Sequence, residues 1–349
     1  MTMLAHQLVA RGHDVSVTCL AHVPDAVGST TYDGISVTRY ASQKVLGSVR
    51  SKDGFQFPDS DVLHLHGLWR HLARQFLHAG FGSGSRVVTL HGSLEGVAID
   101  PNPVRRSAKL IWDWTAGVSL LTRFDAVVCL SDVEERHLRR RLRRLATTRV
   151  VVLPNPLPFA PVGFPADSHT SQSNGRLLFL GRIATQKNLP LLIRCLVEND
   201  DLPGCDIVGP VGDAWSEVQV LLKSVAPGRV RVLPETTGAA KWTLLRDSAA
   251  LVLPSHWEGM SVAALEAISV GIPVVVSRRG SVGLPESAIT AFDPATPTAL
   301  ATAIRRALAA PRRTSPPPED THPTMLTEVE YCNRIEQLYC AVLEGRRGL

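Results

Sequence analysis

Apolar residues along this chain fall in short, nearly unbroken runs, separated by segments in which they recur every three or four positions. In the first half the runs occupy 15–20, 61–66, 86–91, 126–130 and 150–153. Runs of that length predict strands buried on both faces, as in parallel sheets covered by helices. The alternation restarts at Arg176. Strands are predicted over 176–180, 205–208, 230–233, 250–253 and 273–277, with helices over 189–198, 215–225, 241–248 and 261–270. A helix is also predicted over 1–11, striped by Leu4, Leu8 and Val9 and stopped by Gly12. Another is predicted over 327–343, striped by Tyr331, Ile335, Leu338 and Val342.

Two breaks divide this pattern. Residues 154–175 hold five prolines and a polar Ser/Thr/Asn/Gln patch, and 311–323 contain Pro316, Pro317 and Pro318. The expected fold class is α/β: two doubly wound, Rossmann-like domains facing across a cleft. The expected domains are 1–155, a linker over 156–175, and 176–324, with the helix of 325–349 packing back on the first. Ligands of such sheets bind beyond the carboxyl ends of the strands, which makes the cleft the expected site. A doubly wound domain normally opens with a strand, a glycine-rich turn and a helix. Here residues 1–11 already read as the helix. The expectation is that the chain starts inside a longer coding sequence or is a decayed copy, and that its first domain is poorly stable.

Composition narrows the partners. At about 150 residues per domain, 349 residues suit two domains, and 44% hydrophobic with 20% charged residues excludes a mainly disordered chain. The formal charge of +5 is mild and dispersed. It suits an anionic small molecule or an acidic membrane face, and does not by itself imply nucleic acid. The six cysteines form no C-x-x-C pair, so reduced thiols are expected. No secretory pattern and no run of about 18 uncharged apolar residues is found, so the expected location is cytoplasmic.

Chemistry concentrates in two post-strand segments. In 253–277 a strand runs into a loop and then a helix opening near Ser261. The amides of Gly259, Met260, Ser261 and Val262 there form a natural anion site aided by the helix dipole. Glu258 stands just before the opening, and Glu266 lies inside the helix among Ala264, Leu265, Ala267 and Ile268. Paired glutamates are common on solvated helices, but that apolar setting is a poor place for an idle charge. In 180–188, Gly181, Arg182 and Lys187 follow a strand, with Asn188 as the expected cap of the next helix. Arg182 offers a planar fork and Lys187 a point charge, and both can reach one diphosphate. Taken alone, that segment reads better as an ordinary basic loop before a helix.

Together these segments resemble the retaining glycosyltransferases of family 4, which have the GT-B architecture. The resemblance includes Arg11-Gly12-His13-Asp14-Val15, the run Val62-Leu63-His64-Leu65-His66-Gly67-Leu68-Trp69, and Val88-Thr89-Leu90-His91-Gly92. It continues through Leu130-Ser131-Asp132, Val152-Leu153-Pro154-Asn155, Gly181-Arg182 with Lys187-Asn188, and the Glu-x7-Glu pair Glu258 and Glu266. It implies sugar transfer from a nucleotide-sugar donor to an acceptor hydroxyl, without a metal or other cofactor. Carried over by position, Arg182 and Lys187 neutralise the diphosphate and Glu258 contacts sugar hydroxyls. Glu266 accepts from the ribose, and Gly259, Met260 and Ser261 hold the phosphates or sugar. His91 matches the family histidine facing the donor sugar, and His66 falls on the acceptor side. In place of the family's Pro-Asn-Gly-Val-Asp stands Pro154-Asn155-Pro156-Leu157-Pro158, so the contact from that Asp has no counterpart.

Other features are less specific. His64 and His66 share a strand face, and no carboxylate or cysteine at ligand spacing completes a metal site with them. Trp69 can stack on a sugar or pack, and Leu110, Ile111, Trp112 and Trp114 can add an apolar membrane contact or belong to the core. The basic segment from Arg136 through Leu138 and Leu142 to Leu145 reads as a solvated surface helix or as a dock for anionic lipid headgroups. The latter would suit a lipid-linked or polysaccharide acceptor at the inner face of the plasma membrane. Two rivals stay open: a non-catalytic nucleotide-sugar binder, and a sugar-nucleotide epimerase of related build. Nucleic acid is not expected, because no stacking aromatics interleave the arginines.

Overall fold

The computed structural model describes residues 2–21, 24–45, 48–68, 73, 75–77, 84–93, 104, 107, 111, 118–141, 148–158, 175–312 and 325–347. They form two compact units, Met1–Pro154 with Leu326–Leu349, and Asn155–Met325.

The first unit opens with α1 (Thr2–Ala10), which Gly12 ends at φ +89°, then β1 (Ser16–Leu20), β2 (Gly28–Tyr32) and β3 (Ile35–Tyr40). These strands form a sheet in the order β1-β3-β2, with β1 parallel and β2 antiparallel to β3. A hairpin follows, β4 (Ser42–Val45) with β5 (Ser48–Ser51). Next come β6 (Val62–His66), β7 (Ser85–Thr89), α2 (Val118–Leu121), β8 (Ala126–Cys129), α3 (Asp132–Arg141) and β9 (Arg149–Val152). β6 to β9 pair in that order as a parallel sheet.

The expected burial on both faces holds for β7 and β8 and fails for β1. None of the β1 residues is buried, because β1 is the edge of a three-stranded sheet. The strands β2 to β5 carry no apolar run, so hydrophobic periodicity does not predict them.

The second unit restarts the alternation: β10 (Leu177–Leu180), α4 (Leu189–Glu198), β11 (Cys205–Val208), α5 (Trp215–Leu222), β12 (Val230–Leu233) and α6 (Gly238–Asp247). After them come β13 (Ala250–Leu253), α7 (Val262–Ser269), β14 (Val274–Ser277), β15 (Thr290–Phe292) and α8 (Pro297–Ala309). The sheet is parallel throughout, in the order β12-β11-β10-β13-β14-β15. Leu177, Phe179, Ile207 and Val252 point into a core closed by Leu192, Leu196, Val218, Leu300 and Ile304 of α4, α5 and α8. The order reverses between β10 and β13. That topological switch is where doubly wound sheets bind ligands.

The chain then returns to the first unit as α9 (Glu328–Arg347). Its Tyr331, Ile335, Leu338 and Val342 pack with Leu4 and Leu8 of α1 against Val87, Ala126 and Val128. The intervening Val88, Val127 and Cys129 face the other way, toward Phe76, Leu121, Phe124 and Leu138. Alternate strand residues thus serve two helix-covered faces.

Candidate active site

The loops predicted to carry chemistry leave β10 and β13, the strands flanking the switch. After β11, Gly209 has φ +145°, and a Cβ there would stand 2.2 Å from the Gly181 carbonyl oxygen. Only glycine lets these two loops meet. A 3-10 turn, Thr185–Lys187, then folds Lys187 back over Gly181. Asn188 holds the N-cap position of α4 with φ +50°, but its side chain makes no capping bond. The expected cap is therefore one of position only.

Two bonds join the β10 and β13 loops: His256 N–H to the Gln186 carbonyl at 2.8 Å, and Gln186 Nε2 to the Trp257 carbonyl at 3.0 Å. Beside them Lys187 Nζ meets Glu258 Oε1 at 2.7 Å, and Ser255 Oγ donates to the same oxygen at 2.6 Å. Ser255 is itself fixed, since its carbonyl accepts from Ser277 Oγ, which in turn accepts from Gly280 N–H. Glu258 is buried, and its Oε2 has no partner among the described residues.

α7 opens with Ser261 as N-cap, its Oγ accepting from Ala264 N–H at 3.4 Å. The N–H groups of Gly259, Met260 and Ser261 donate to no acceptor among the described residues. They are open donors at the positive end of a helix dipole. Asn155 braces this loop: its Nδ2 donates to the Met260 carbonyl at 3.3 Å, and its N–H lies 3.2 Å from Met260 Sδ. Two turns on, buried Glu266 pairs with Lys241 Nζ at 2.6 Å, and that ammonium lies 5.4 Å from the Trp242 ring. Arg182 is exposed and makes no ion pair among the described residues.

A second cluster lies in the first unit. The rings of His64 and His66 stack with centroids 4.3 Å apart at 27°. His66 Nδ1 is 3.0 Å from His91 Nε2. His64 Nδ1 meets the Tyr339 hydroxyl at 2.7 Å, and its Nε2 meets Thr89 Oγ1 at 2.8 Å. Desolvation lowers His64 to about 3 and His91 to about 4, and holds His66 well below the usual imidazole range. All three are neutral at pH 7.

His91 stands at φ +51° beside Gly92 at +71°. That left-handed turn is held by fully buried Glu134, whose Oε1 accepts from Gly92 N–H and Oε2 from Leu130 N–H, each at 2.7 Å. Burial pushes its carboxyl up, and the two amides pull it back. Among the described residues, no group of three or more His, Cys, Asp or Glu is placed to hold a metal ion.

Comparison with known proteins decides the family. Residues 1–159 match the family described as Glycosyltransferase Family 4, and residues 174–310 match Glycosyl transferases group 1. The chain belongs to glycosyltransferase family 4. No curated protein matches its sequence. Among solved structures it is similar to the sucrose-phosphate synthase of Thermosynechococcus elongatus, with 18% identity and TM-score 0.74 over 98% of this chain and 92% of that one. It is also similar to a trehalose-6-phosphate structure from E. coli bound with UDP-2-fluoro glucose, with 12% identity and TM-score 0.61 over 98% and 92%. A third is the UDP-forming α,α-trehalose-phosphate synthase of Burkholderia xenovorans, with 15% identity and TM-score 0.58 over 81% and 73%. The fold is GT-B, an α/β protein of two Rossmann-like domains.

Within its second unit the glycosyltransferase gathers Gly181, Lys187, Glu258, Gly259, Met260 and Ser261, with Glu266 along the same helix. Within its first unit it joins His66 to His91. Ser255 and Lys241 join the site without any signal in periodicity or charge. Glu134 has one, because Ser131-x-x-Glu134 is a helix-capping pattern. Ser131 Oγ does accept from Glu134 N–H at 3.2 Å, but the carboxylate reaches Leu130 and Gly92 instead of the N-cap amide. In the basic segment Leu138 is fully buried in the core and Arg139 pairs with Glu135 at 2.8 Å, while Arg136 and Arg140 are exposed. Ile111 is exposed, whereas Trp69, Leu110, Trp112, Trp114, Leu142, Leu145 and linker residues 159–174 lie outside the described residues. No helix among the described residues is long and apolar enough to cross a membrane.

Proposed function

We propose that this glycosyltransferase moves a sugar from a nucleotide-sugar donor to a lipid-linked or polysaccharide acceptor, with retained anomeric configuration and without a metal cofactor. The observation that carries this reading is the meeting of Lys187, Glu258 and the open amides before α7 beyond the switch-point strands. When the bond from the anomeric carbon to the diphosphate breaks, the electron pair stays on the diphosphate. Arg182 and Lys187 supply positive charge where that negative charge grows, and removing one such preorganised donor costs about 3 kcal/mol in barrier. The unpaired Oε2 of Glu258 accepts from a sugar hydroxyl, and that of Glu266 from the ribose. His91 faces the donor sugar, and His66 stands on the acceptor side. Exposed Arg136 and Arg140 on α3 suit a peripheral position on an anionic membrane surface.

The test is a thermal-shift screen against uridine, guanosine and adenosine diphosphate sugars, since a bound ligand raises apparent stability by mass action. Transfer or donor hydrolysis is then measured with the best donor, and NMR of the product reads the anomeric configuration. Binding with neither reaction replaces the transferase by a non-catalytic binder. A sugar altered in the absence of acceptor replaces it by an epimerase.

A further inference from the structure

We propose that His64 and Tyr339 are positioning residues which fix the ring of His91 through His66, so that the last helix of the chain belongs to the machinery of the histidine cluster. The chain of contacts is continuous and lies within one unit. Tyr339, on α9, places its hydroxyl 2.7 Å from His64 Nδ1, and Thr89 Oγ1 stands 2.8 Å from His64 Nε2. His64 therefore cannot rotate without breaking two bonds. Its ring stacks on His66 at 4.3 Å, and His66 meets His91 edge-on through a 3.0 Å nitrogen–nitrogen bond.

Proton counting makes the coupling specific. A neutral imidazole carries one N–H, so the His66–His91 bond holds a single proton. Either His66 donates from Nδ1 and His91 keeps its own proton on Nδ1, or His91 donates from Nε2 and His66 keeps its proton on Nε2. The tautomers of the two rings are locked together. At the other end the phenol is a stronger acid than a neutral imidazole, and burial raises its pKa further, so it stays protonated. As the stronger acid it is the better donor, which favours Tyr339 O–H to His64 Nδ1 and His64 Nε2–H to Thr89. The backbone of His91 is already set by Glu134 through Gly92. What remains free is the ring, and this relay fixes it. The catalytic part of the inference rests on His91 facing the donor sugar; the positioning part does not.

The experiment uses the full chain labelled with 15N at histidine, and long-range proton–nitrogen correlations that distinguish the two tautomers. In the unaltered protein we expect a single tautomer at each ring, with His64 protonated at Nε2. His64→Ala removes the stack and turns the His91 signals into a tautomeric average. His64→Phe restores a flat ring and with it a single His91 tautomer. Tyr339→Phe, which keeps the ring and loses only the hydroxyl, averages His64 and shifts His91 in the same direction. Should His64→Ala fail to fold, Tyr339→Phe carries the test alone. We expect kcat to fall about tenfold in His64→Ala with donor KM unchanged, within the roughly hundredfold that a 1 Å misplacement costs. His91 signals unmoved in folded variants overturn the proposal whatever the activity. His91 signals that move while transfer is unaffected confirm the positioning and overturn the catalytic reading of His91.

Discussion

The pairing of Lys187 with Glu258 makes a prediction with opposite signs for its two partners. The ammonium that would meet a diphosphate is held by a buried carboxylate, 2.7 Å away. A diphosphate therefore meets an ammonium whose charge Glu258 already offsets, although two of its N–H donors remain. Inorganic pyrophosphate isolates that effect, because it carries no base and no sugar. Lys187→Met deletes one charge-assisted bond, worth about 1.5–3 kcal/mol, so pyrophosphate binding should weaken about 10- to 100-fold. Glu258→Gln removes the offsetting charge while its amide oxygen can still accept from Ser255 Oγ. Binding should then stay equal or tighten up to about tenfold, while sugar transfer falls because the hydroxyl-facing acceptor is gone. The fold should tolerate both changes. Removing one partner of a fully buried pair costs about 3–5 kcal/mol, but Lys187 keeps 18% side-chain exposure, so about 1–2 kcal/mol is expected. Isothermal titration at two salt concentrations measures both variants. Equal weakening in both would make the pair a purely structural bridge, and no change in either would remove the cation from the diphosphate site.

Three further outcomes follow from the first unit. Glu134→Gln leaves one backbone amide facing an amide nitrogen, and losing that charge-assisted bond should cost about 2 kcal/mol, or ~4–8 °C in melting temperature. His64, His66 and His91 are all held below their unfolded value of 6.5, two of them at about 3 and about 4. The stability they contribute is therefore present above about 6.5 and lost as pH falls toward those values, so urea midpoints should drop between pH 7 and pH 5, less so in His64→Phe. β1 and β6 are each at the end of their sheet. Hydrogen exchange should label their outward amides faster than those of β10 and β13, which have partners on both sides.

How much of this was legible depended on which forces leave a mark in one dimension. The buried parallel strands β7, β8, β10, β11, β13 and β14 announce themselves, because strands covered on both faces are largely apolar. The two loops that matter are marked by their glycines and charges, whereas the strand order and its switch point come from the structure. The polar hairpin strands leave no such mark, since GSTTY of β2 is exposed at every position and is held by backbone bonds to β3. The α8 helix had readable signs in Thr296 and Pro297, a cap and a first-turn proline, and in the apolar stripe of Leu300, Ala303, Ile304 and Ala307, which the reading of strand runs passes over. Contacts such as Lys241 to Glu266 or Tyr339 to His64 join residues 25 and 275 positions apart. No local pattern encodes them.

What separates a ligand-facing carboxylate from a structural one here is the state of its second oxygen. Four carboxylates are buried among the described residues: Glu134, Asp206, Glu258 and Glu266. Glu134 spends both oxygens on backbone amides, and Asp206 spends both on Arg176 and Arg231. Both oxygens of each are committed to holding the fold. Glu258 and Glu266 each give Oε1 to a lysine and leave Oε2 without a partner among the described residues. Each of these oxygens keeps its acceptor capacity for water or a ligand. Both open oxygens belong to residues before and within one helix, beside amides that are also unmatched. Acceptors for hydroxyls next to donors for phosphate are the complement of a phosphorylated sugar. That pairing, more than the count of charges, is what supports the proposed donor role of the second unit.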